Sequence, residues 1–75
     1  MTTTLDQLKP NQQGTIVDIQ DDALATQLVT MGFIIGEEIR LERFAPLRDP
    51  ILISSGSNHI SIRKSDAKKI KVNLV

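Results

Sequence analysis

Apolar residues alternate with polar ones along most of this chain, and that alternation predicts short β-strands. The apolar or alternating stretches are the segments 15–19, 39–42, 51–53, 60–62 and 70–74. Side chains on a strand point to opposite faces in turn, so alternation places one face in a core and the other in water. Phe44 falls out of phase with Ile39 and Leu41, which predicts a bulge or the end of the strand near Arg43.

One segment has the three- and four-residue spacing of an amphipathic helix instead. Its apolar stripe consists of Leu24, Leu28 and Met31. Asp21 and Asp22 precede the stripe, and an aspartate can accept hydrogen bonds from the free N–H groups at the start of a helix. Gly32 follows the stripe, where a residue in the left-handed conformation ends a helix and lets Phe33 pack back on Leu28. We therefore predict a helix that begins at Asp21 or Asp22 and ends at Gly32.

Turn-forming residues separate these elements. Pro46 and Pro50 exclude the segment 45–50 from a central strand, since proline donates no hydrogen bond to a sheet, and we predict a loop there. Ser, Gly and Asn residues at 55–58 predict a turn. The segment 65–69 is long enough for a single helical turn.

Together these elements predict one domain over residues 1–75. It is mainly β, with one α-helix after the first strand and a short helical turn before the last strand. Short antiparallel strands must cover their edges, and closure into a small barrel does so. We therefore predict a five-stranded SH3-like barrel. An OB-like barrel is the alternative, although that fold normally needs more residues.

The composition then excludes several classes of protein. The chain has 75 residues, which is too few for a two-domain enzyme with a cleft between its domains. It has no cysteine, which excludes disulfides, thiol chemistry and cysteine-based zinc or iron–sulfur sites. No apolar run is long enough to cross a membrane, and residues 1–6 lack the basic flank and apolar core of a signal peptide. We therefore expect a cytoplasmic protein without direct membrane insertion.

The net charge of zero conceals an asymmetry between the two halves of the chain. Residues 1–38 carry one lysine and six acidic side chains, a net −5, and residues 39–75 carry eight basic and three acidic side chains, a net +5. The two halves can pair within one fold, or the second half can offer a basic face to an acidic partner. A small RNA-binding barrel is a further alternative, but zero net charge and the absence of Tyr and Trp weaken it, and we expect no nucleic acid.

No arrangement of residues points to catalysis. His59 is the only histidine, and its place in an alternating strand predicts that it faces solvent. One histidine without cysteines or a carboxylate cluster is weak evidence for a metal site. No glycine-rich phosphate loop is present. We therefore expect no enzyme activity, no metal site and no cofactor.

Six short motifs follow one another along the chain. They are Leu5-x-x-Leu8, Gly14-x-Ile16, Leu28-x-x-Met31-Gly32-Phe33-x-x-Gly36, Ala45-Pro46-Leu47-x-Asp49-Pro50-Ile51, Ile60-x-Ile62-Arg63 and Asp66-Ala67-x-x-Ile70-x-Val72. Each motif is weak alone, but in this order they cover almost the whole chain. Together they resemble the ferrous-iron transport protein A (FeoA) family. A similar module forms the C-terminal domain of some iron- and manganese-dependent repressors, and the length of this chain is typical of the stand-alone form.

The resemblance implies a small cytosolic SH3-like barrel that accompanies FeoB, a membrane permease for ferrous iron with a cytosolic GTP-binding domain. It implies docking on that domain and modulation of the permease, and no enzyme activity. Association between copies of the chain, a homo-oligomer, is left open. The alternative is a regulatory module that binds a metal or a peptide, similar to the repressor-linked domains.

Three positions depart from the usual pattern of the family. Asn11 and Arg48 stand where glycines are common; Asn tolerates a left-handed backbone, whereas Arg would be strained by it. Ile35 replaces a common proline, so Ile34 and Ile35 can be partly exposed, and an exposed apolar patch often marks a contact. We therefore predict that a partner binds a corner and a loop of the chain, through Met31, Phe33, Ile34, Ile35, Phe44, Pro46, Leu47, Arg48 and Asp49.

Overall fold

The computed structural model describes residues 1–75 as one antiparallel sheet with two short helices. The strands are β1 (Thr2–Thr4), β2 (Gln13–Ile19), β3 (Glu38–Phe44), β4 (Ile51–Ser55), β5 (Asn58–Ile62) and β6 (Ile70–Leu74). Helix α1 spans Asp22–Val29 and helix α2 spans Lys64–Ala67. The strands lie in the order β1-β6-β2-β3-β4-β5, and every neighbouring pair is antiparallel. The mainly β prediction is confirmed.

The core is formed by fourteen buried apolar residues, which come from both helices, from every strand except β1, and from the connecting segments that carry Leu5, Leu8 and Phe33. On β3 the alternation is as predicted, because Ile39 and Leu41 are buried while Glu38 and Arg40 are exposed. Burying one such aliphatic side chain contributes about 1.5–3 kcal/mol. The alternating strands therefore fix which face of the sheet is turned inward.

The number of strands and the closure of the sheet differ from the prediction. Thr2–Thr4 forms an additional strand that pairs with β6, so α1 follows the second strand rather than the first. No pairing joins β1 to β5, so the sheet is open and the predicted closed five-stranded barrel is wrong on both points. Three threonines show no apolar alternation, but β-branched residues suit a strand. A 3-10 turn at Leu5–Gln7 ends β1 after three residues and buries Leu5.

Two β-bulges bend the sheet. In β3 the register shifts between Leu41 and Arg43, which confirms the predicted bulge near Arg43. In β2 it shifts between Ile16 and Asp18, a bulge that the sequence pattern does not reveal. A bulge increases the local twist of a strand, so these two positions help an open sheet to curl around its core.

Helix α1 begins and ends as its sequence predicts. Asp21 Oδ1 accepts a hydrogen bond from the Leu24 N–H at 2.9 Å. At the other end the Phe33 N–H donates to the Leu28 carbonyl oxygen at 3.0 Å, which is the long bond of a Schellman motif. Gly32 has a φ of +84°, as that motif requires.

A side chain at Gly32 would add a clash to backbone strain, because its Cβ would lie 2.9 Å from Asn58 Nδ2. We expect Gly32→Ala to lower the free energy of unfolding by about 1–3 kcal/mol, measured by urea denaturation. Gly36→Ala is the matched control, since that residue has a φ of +97° but no atom within 4 Å of the added Cβ. Equal losses in the two variants would show that the contact with Asn58 adds nothing.

Candidate functional site

The β3–β4 loop, residues 45–50, is closed by hydrogen bonds and attached to the rest of the fold. The Ala45 N–H donates to the Pro50 carbonyl oxygen at 2.9 Å, which joins the two ends of the loop. Asp49 Oδ1 accepts a hydrogen bond from the Lys64 N–H at 3.0 Å, which ties the loop to the start of α2. The predicted loop is therefore confirmed, and its position is set by one main-chain hydrogen bond across its ends and by the side chain of Asp49.

Two consecutive residues of this loop have a left-handed backbone. Leu47 and Arg48 each have a φ of +65°, a conformation that costs about 1–2 kcal/mol for a residue with a Cβ. The Arg48 N–H donates to the Ala45 carbonyl oxygen at 2.8 Å. Its guanidinium carbon lies 4.2 Å from the centre of the Phe44 ring, a cation–π contact that offsets part of the strain. Arg48 thus has the left-handed backbone in which an arginine is strained.

The strained turn places Leu47 in water. Its side chain is 98% exposed, so it contributes almost nothing to the core. A strained conformation persists only where its surroundings impose it, and such positions cluster at sites that bind ligands or partners. Leu47 is therefore a candidate contact residue, because neither folding nor backbone geometry explains a leucine there.

The α1–β3 corner, residues 31–36, also exposes apolar side chains. Ile34 and Ile35 are 42% and 61% exposed, respectively, which agrees with the exposure expected where Ile35 replaces a proline. The Gly36 N–H donates to the Ile16 carbonyl oxygen at 2.8 Å, so the corner is fastened to β2. Its two isoleucines form a second candidate contact.

The loop and the corner do not lie side by side. The corner precedes β3 and the loop follows it. The seven residues of β3 extend over about 20 Å, taking 3.3 Å per residue. A partner that touches both segments must therefore span the length of this strand.

The predicted contact residues differ in accessibility. Phe33 is fully buried and supports the corner from within the core. The prediction that Phe33 contacts a partner is therefore wrong. Met31 and Phe44 are half-buried and pack against the core. The side chains that solvent reaches are Ile34, Ile35, Pro46, Leu47, Arg48 and Asp49.

Polar contacts between β4 and the segment around β3 are absent from the predicted site. Ser54 Oγ donates to Glu42 Oε2 at 2.5 Å, and Ser55 Oγ donates to Glu37 Oε2 at 3.3 Å. Only the pairing of the strands brings these residues together, so their spacing in the sequence gives no signal. His59 is exposed on β5, as predicted. No group of three or more His, Cys, Asp or Glu residues is placed to hold a metal ion.

An ion pair joins the two oppositely charged halves of the chain. Lys69 Nζ lies 3.1 Å from Asp21 Oδ2, and Asp18 lies opposite Lys71 in the pairing of β2 with β6. The hydrogen bond from the Leu24 N–H, together with Lys69, holds the pKa of Asp21 below its ordinary value of 3.8. Pairing within the fold therefore accounts for part of the charge asymmetry.

Because folding lowers the pKa of Asp21, its ionised form stabilises the fold above pH 3.8, and this contribution is lost as the pH falls through the lowered value. Asp21→Asn keeps an oxygen that can accept the Leu24 hydrogen bond but removes the charge. We expect this variant to melt below the wild type near pH 6, with a difference that shrinks as the pH falls to about 3. A difference in melting temperature that stays constant over this range would contradict the assignment.

Comparison with known proteins decides the family. A profile of the FeoA domain matches residues 3–74. The chain belongs to the FeoA family. This family takes part in ferrous-iron transport, which confirms the resemblance carried by the six motifs.

A FeoA relative is joined to a transporter in a single polypeptide. The chain is 33% identical over 72 residues to the Fe(2+) transport protein A/Fe(2+) transporter FeoB fusion protein of Porphyromonas gingivalis. The match covers 95% of this chain but only 8% of the fusion protein. This FeoA chain therefore corresponds to a small part of that relative.

Solved structures of FeoA proteins share the fold. Iron(II) transport protein A from Clostridium thermocellum superimposes with a TM-score of 0.89 at 38% identity, covering 97% of this chain and 46% of that one. FeoA of Stenotrophomonas maltophilia, a prokaryotic SH3 domain protein complexed with zinc, gives 0.81 at 32% identity, covering 95% and 89%. The SH3-like fold is thereby confirmed. Neither helix of this FeoA chain has the length and apolar character to cross a membrane.

Proposed function

We propose that this FeoA chain is an accessory protein of ferrous-iron uptake that docks on the cytosolic GTP-binding domain of a FeoB permease and modulates it. The observation that supports this most is the relative in which FeoA and FeoB share one polypeptide. Two parts of one chain meet at a high effective concentration, so a small interface is enough for a working contact. The chain would then act in the cytoplasm, at the inner face of the membrane.

The exposed turn of the β3–β4 loop is the proposed contact. Leu47 offers an apolar side chain that is 98% exposed, and Arg48 next to it adds a positive charge. The hydrogen bonds of the loop and the contact of Arg48 with Phe44 already order the backbone. A contact that is ordered before binding loses less conformational entropy on docking. A pocket of apolar floor and acidic rim on the partner would match this turn.

The α1–β3 corner supplies a second, apolar contact through Ile34 and Ile35. Since the corner and the loop flank β3, a partner domain that covers this strand reaches both. The proposed role is mechanical, because docking at two points about 20 Å apart can restrain the relative movement of elements in the partner. The nucleotide chemistry would then belong to the GTP-binding domain of the permease, because this chain has no glycine-rich phosphate loop.

The Leu47→Asn variant separates docking from folding. Asparagine tolerates a left-handed backbone, so we expect the free energy of unfolding to stay the same or to rise by up to about 1 kcal/mol. We expect the affinity for the isolated GTP-binding domain, measured by calorimetry, to fall about tenfold or more, because an apolar anchor is removed from the interface.

Val29→Gln is the matched control. Val29 is 56% exposed on α1, so this change also removes an apolar side chain from the surface, but at another place. We expect it to leave the affinity within about twofold of the wild type. Failure of the wild type to bind at about 100 μM, with or without nucleotide, would reject the docking proposal. Equal affinities of the two variants would reject the loop as the contact.

A further inference from the structure

Strand β5 forms one edge of the open sheet and lacks the features that usually protect an edge. Natural edge strands are kept from pairing with other chains by prolines, lysines, bulges or very short length. The other edge, β1, has only three residues. By contrast β5 has five residues, no proline and no lysine, and it pairs with β4 without a register shift.

The main-chain groups of His59 and Ser61 point to the open side of β5. Ser55 and Asn58 close a two-residue turn, with Gly56 at a φ of +58°, so these two residues form a hydrogen-bonded pair. Hydrogen-bonded pairs alternate along an antiparallel ladder, so Asn58, Ile60 and Ile62 bond to β4. His59 and Ser61 therefore present two N–H and two C=O groups on the edge, and none of the turn, loop or side-chain hydrogen bonds uses them.

A groove of about 260 Å³ runs between this edge and the last turn of α1. Its apolar side is formed by Leu28, Met31, Ile60 and Ile62, and its polar side by Gln27, Ser61, Arg63 and Asp66. A strand added to β5 would point every second side chain toward this apolar side and the others toward His59 and Ser61 on the outer face. The groove therefore suits apolar side chains at alternate positions of the added strand.

Positive charge at the end of β5 further restricts which added strand can bind. Arg63 directly follows the strand, and its side chain is 77% exposed even though it pairs with Asp66 at 3.4 Å. Lys64 comes next, and residues 59–64 contain no acidic side chain. An exposed ion pair of this kind is weak, so Arg63 remains available to a second carboxylate. An added strand with a carboxylate at the end beside Arg63 is therefore favoured.

The size of the edge decides between a peptide and a second copy of the chain. Five residues extend about 13 Å, and a sheet edge is about 10 Å thick, so two copies paired through β5 would bury only about 260 Å² in total. That is far below the roughly 1,000 Å² of a stable interface. A second copy would also lack the carboxylate favoured beside Arg63, since residues 58–64 contain no acidic side chain. An extended peptide can supply both that carboxylate and apolar side chains for the groove, in addition to the main-chain hydrogen bonds.

We propose that β5 binds an extended peptide segment of a partner protein by strand addition, with apolar residues at alternate positions and a carboxylate near Arg63. This surface adjoins the β3–β4 loop where the Lys64 N–H bonds to Asp49, but it does not include Leu47. A failure of docking through Leu47 therefore does not decide whether β5 binds a peptide. It gives the chain a second mode of recognition, directed at an unfolded or flexible segment rather than at a folded domain.

The test uses the whole chain and the synthetic peptide acetyl-Glu-Val-Thr-Val-Thr-Val-Glu-amide, whose two carboxylates serve either orientation. We expect the amide hydrogens of His59 and Ser61 to exchange about tenfold more slowly when the peptide is saturating, measured by NMR. The amides of Asn58, Ile60 and Ile62, which already bond to β4, should change little. The peptide contains no proline, so polyproline recognition is not measured.

N-methylated peptides provide the matched control on the unaltered protein. One peptide is methylated on its valine nitrogens and the other on its threonine nitrogens. Because the N–H groups of alternate residues point to opposite sides of a strand, only one of these two sets faces β5. We expect one of these two peptides to bind about tenfold more weakly than the parent and the other to bind about as well. In the protein, Ile60→Lys should weaken binding about tenfold, whereas Thr3→Lys on the opposite edge should not.

Three results would overturn the proposal. The first is no binding at about 1 mM peptide, since strand addition with a filled groove should exceed that affinity. The second is equal binding of both N-methylated peptides, or protection of amides away from β5. The third is protection of His59 and Ser61 without peptide that grows with protein concentration, which would identify a second copy as the occupant.

Discussion

A single sheet has to supply most of the walls around this core, because α1 is the only helix longer than one turn. Such a sheet must curl so that one face meets itself, and it does so at the bulges that follow Ile16 and Leu41. The apolar side of each strand then turns inward and the polar side faces water. The segments that connect the strands must therefore adopt backbone conformations that join the strand ends of this curled sheet.

That demand explains where the backbone leaves the common conformations. Gly32 ends α1 with a positive φ so that Phe33 can enter the core. Asn11 adopts a φ of +70° before β2, as its side chain allows. Leu47 and Arg48 also have a left-handed backbone, although neither side chain favours that conformation. The first two serve packing and turning, whereas the last two serve exposure of a leucine, which is why the loop is the candidate for docking.

The sequence predicts the parts of this fold that depend on local chemistry. The cap at Asp21, the stop at Gly32 and the bulge after Leu41 each follow from neighbouring residues. The β1 strand does not, because its threonines show no alternation and its pairing with β6 joins opposite ends of the chain. The free edge of β5 does not follow from the sequence either, because apolar and polar residues alternate in the same way in open and in closed sheets. The exposure of Leu47 does not follow from the sequence either, since a leucine between a proline and an arginine carries no local signal for the left-handed region.

Mapping of amide chemical shifts distinguishes docking through the β3–β4 loop and the α1–β3 corner from docking elsewhere on the chain. The labelled chain is titrated with the unlabelled GTP-binding domain of the FeoB permease. We expect the largest changes on residues 45–50, with a second group at Ile34 and Ile35. Changes confined to the basic segment 63–71, or spread evenly over the sheet, would contradict docking through the loop and the corner.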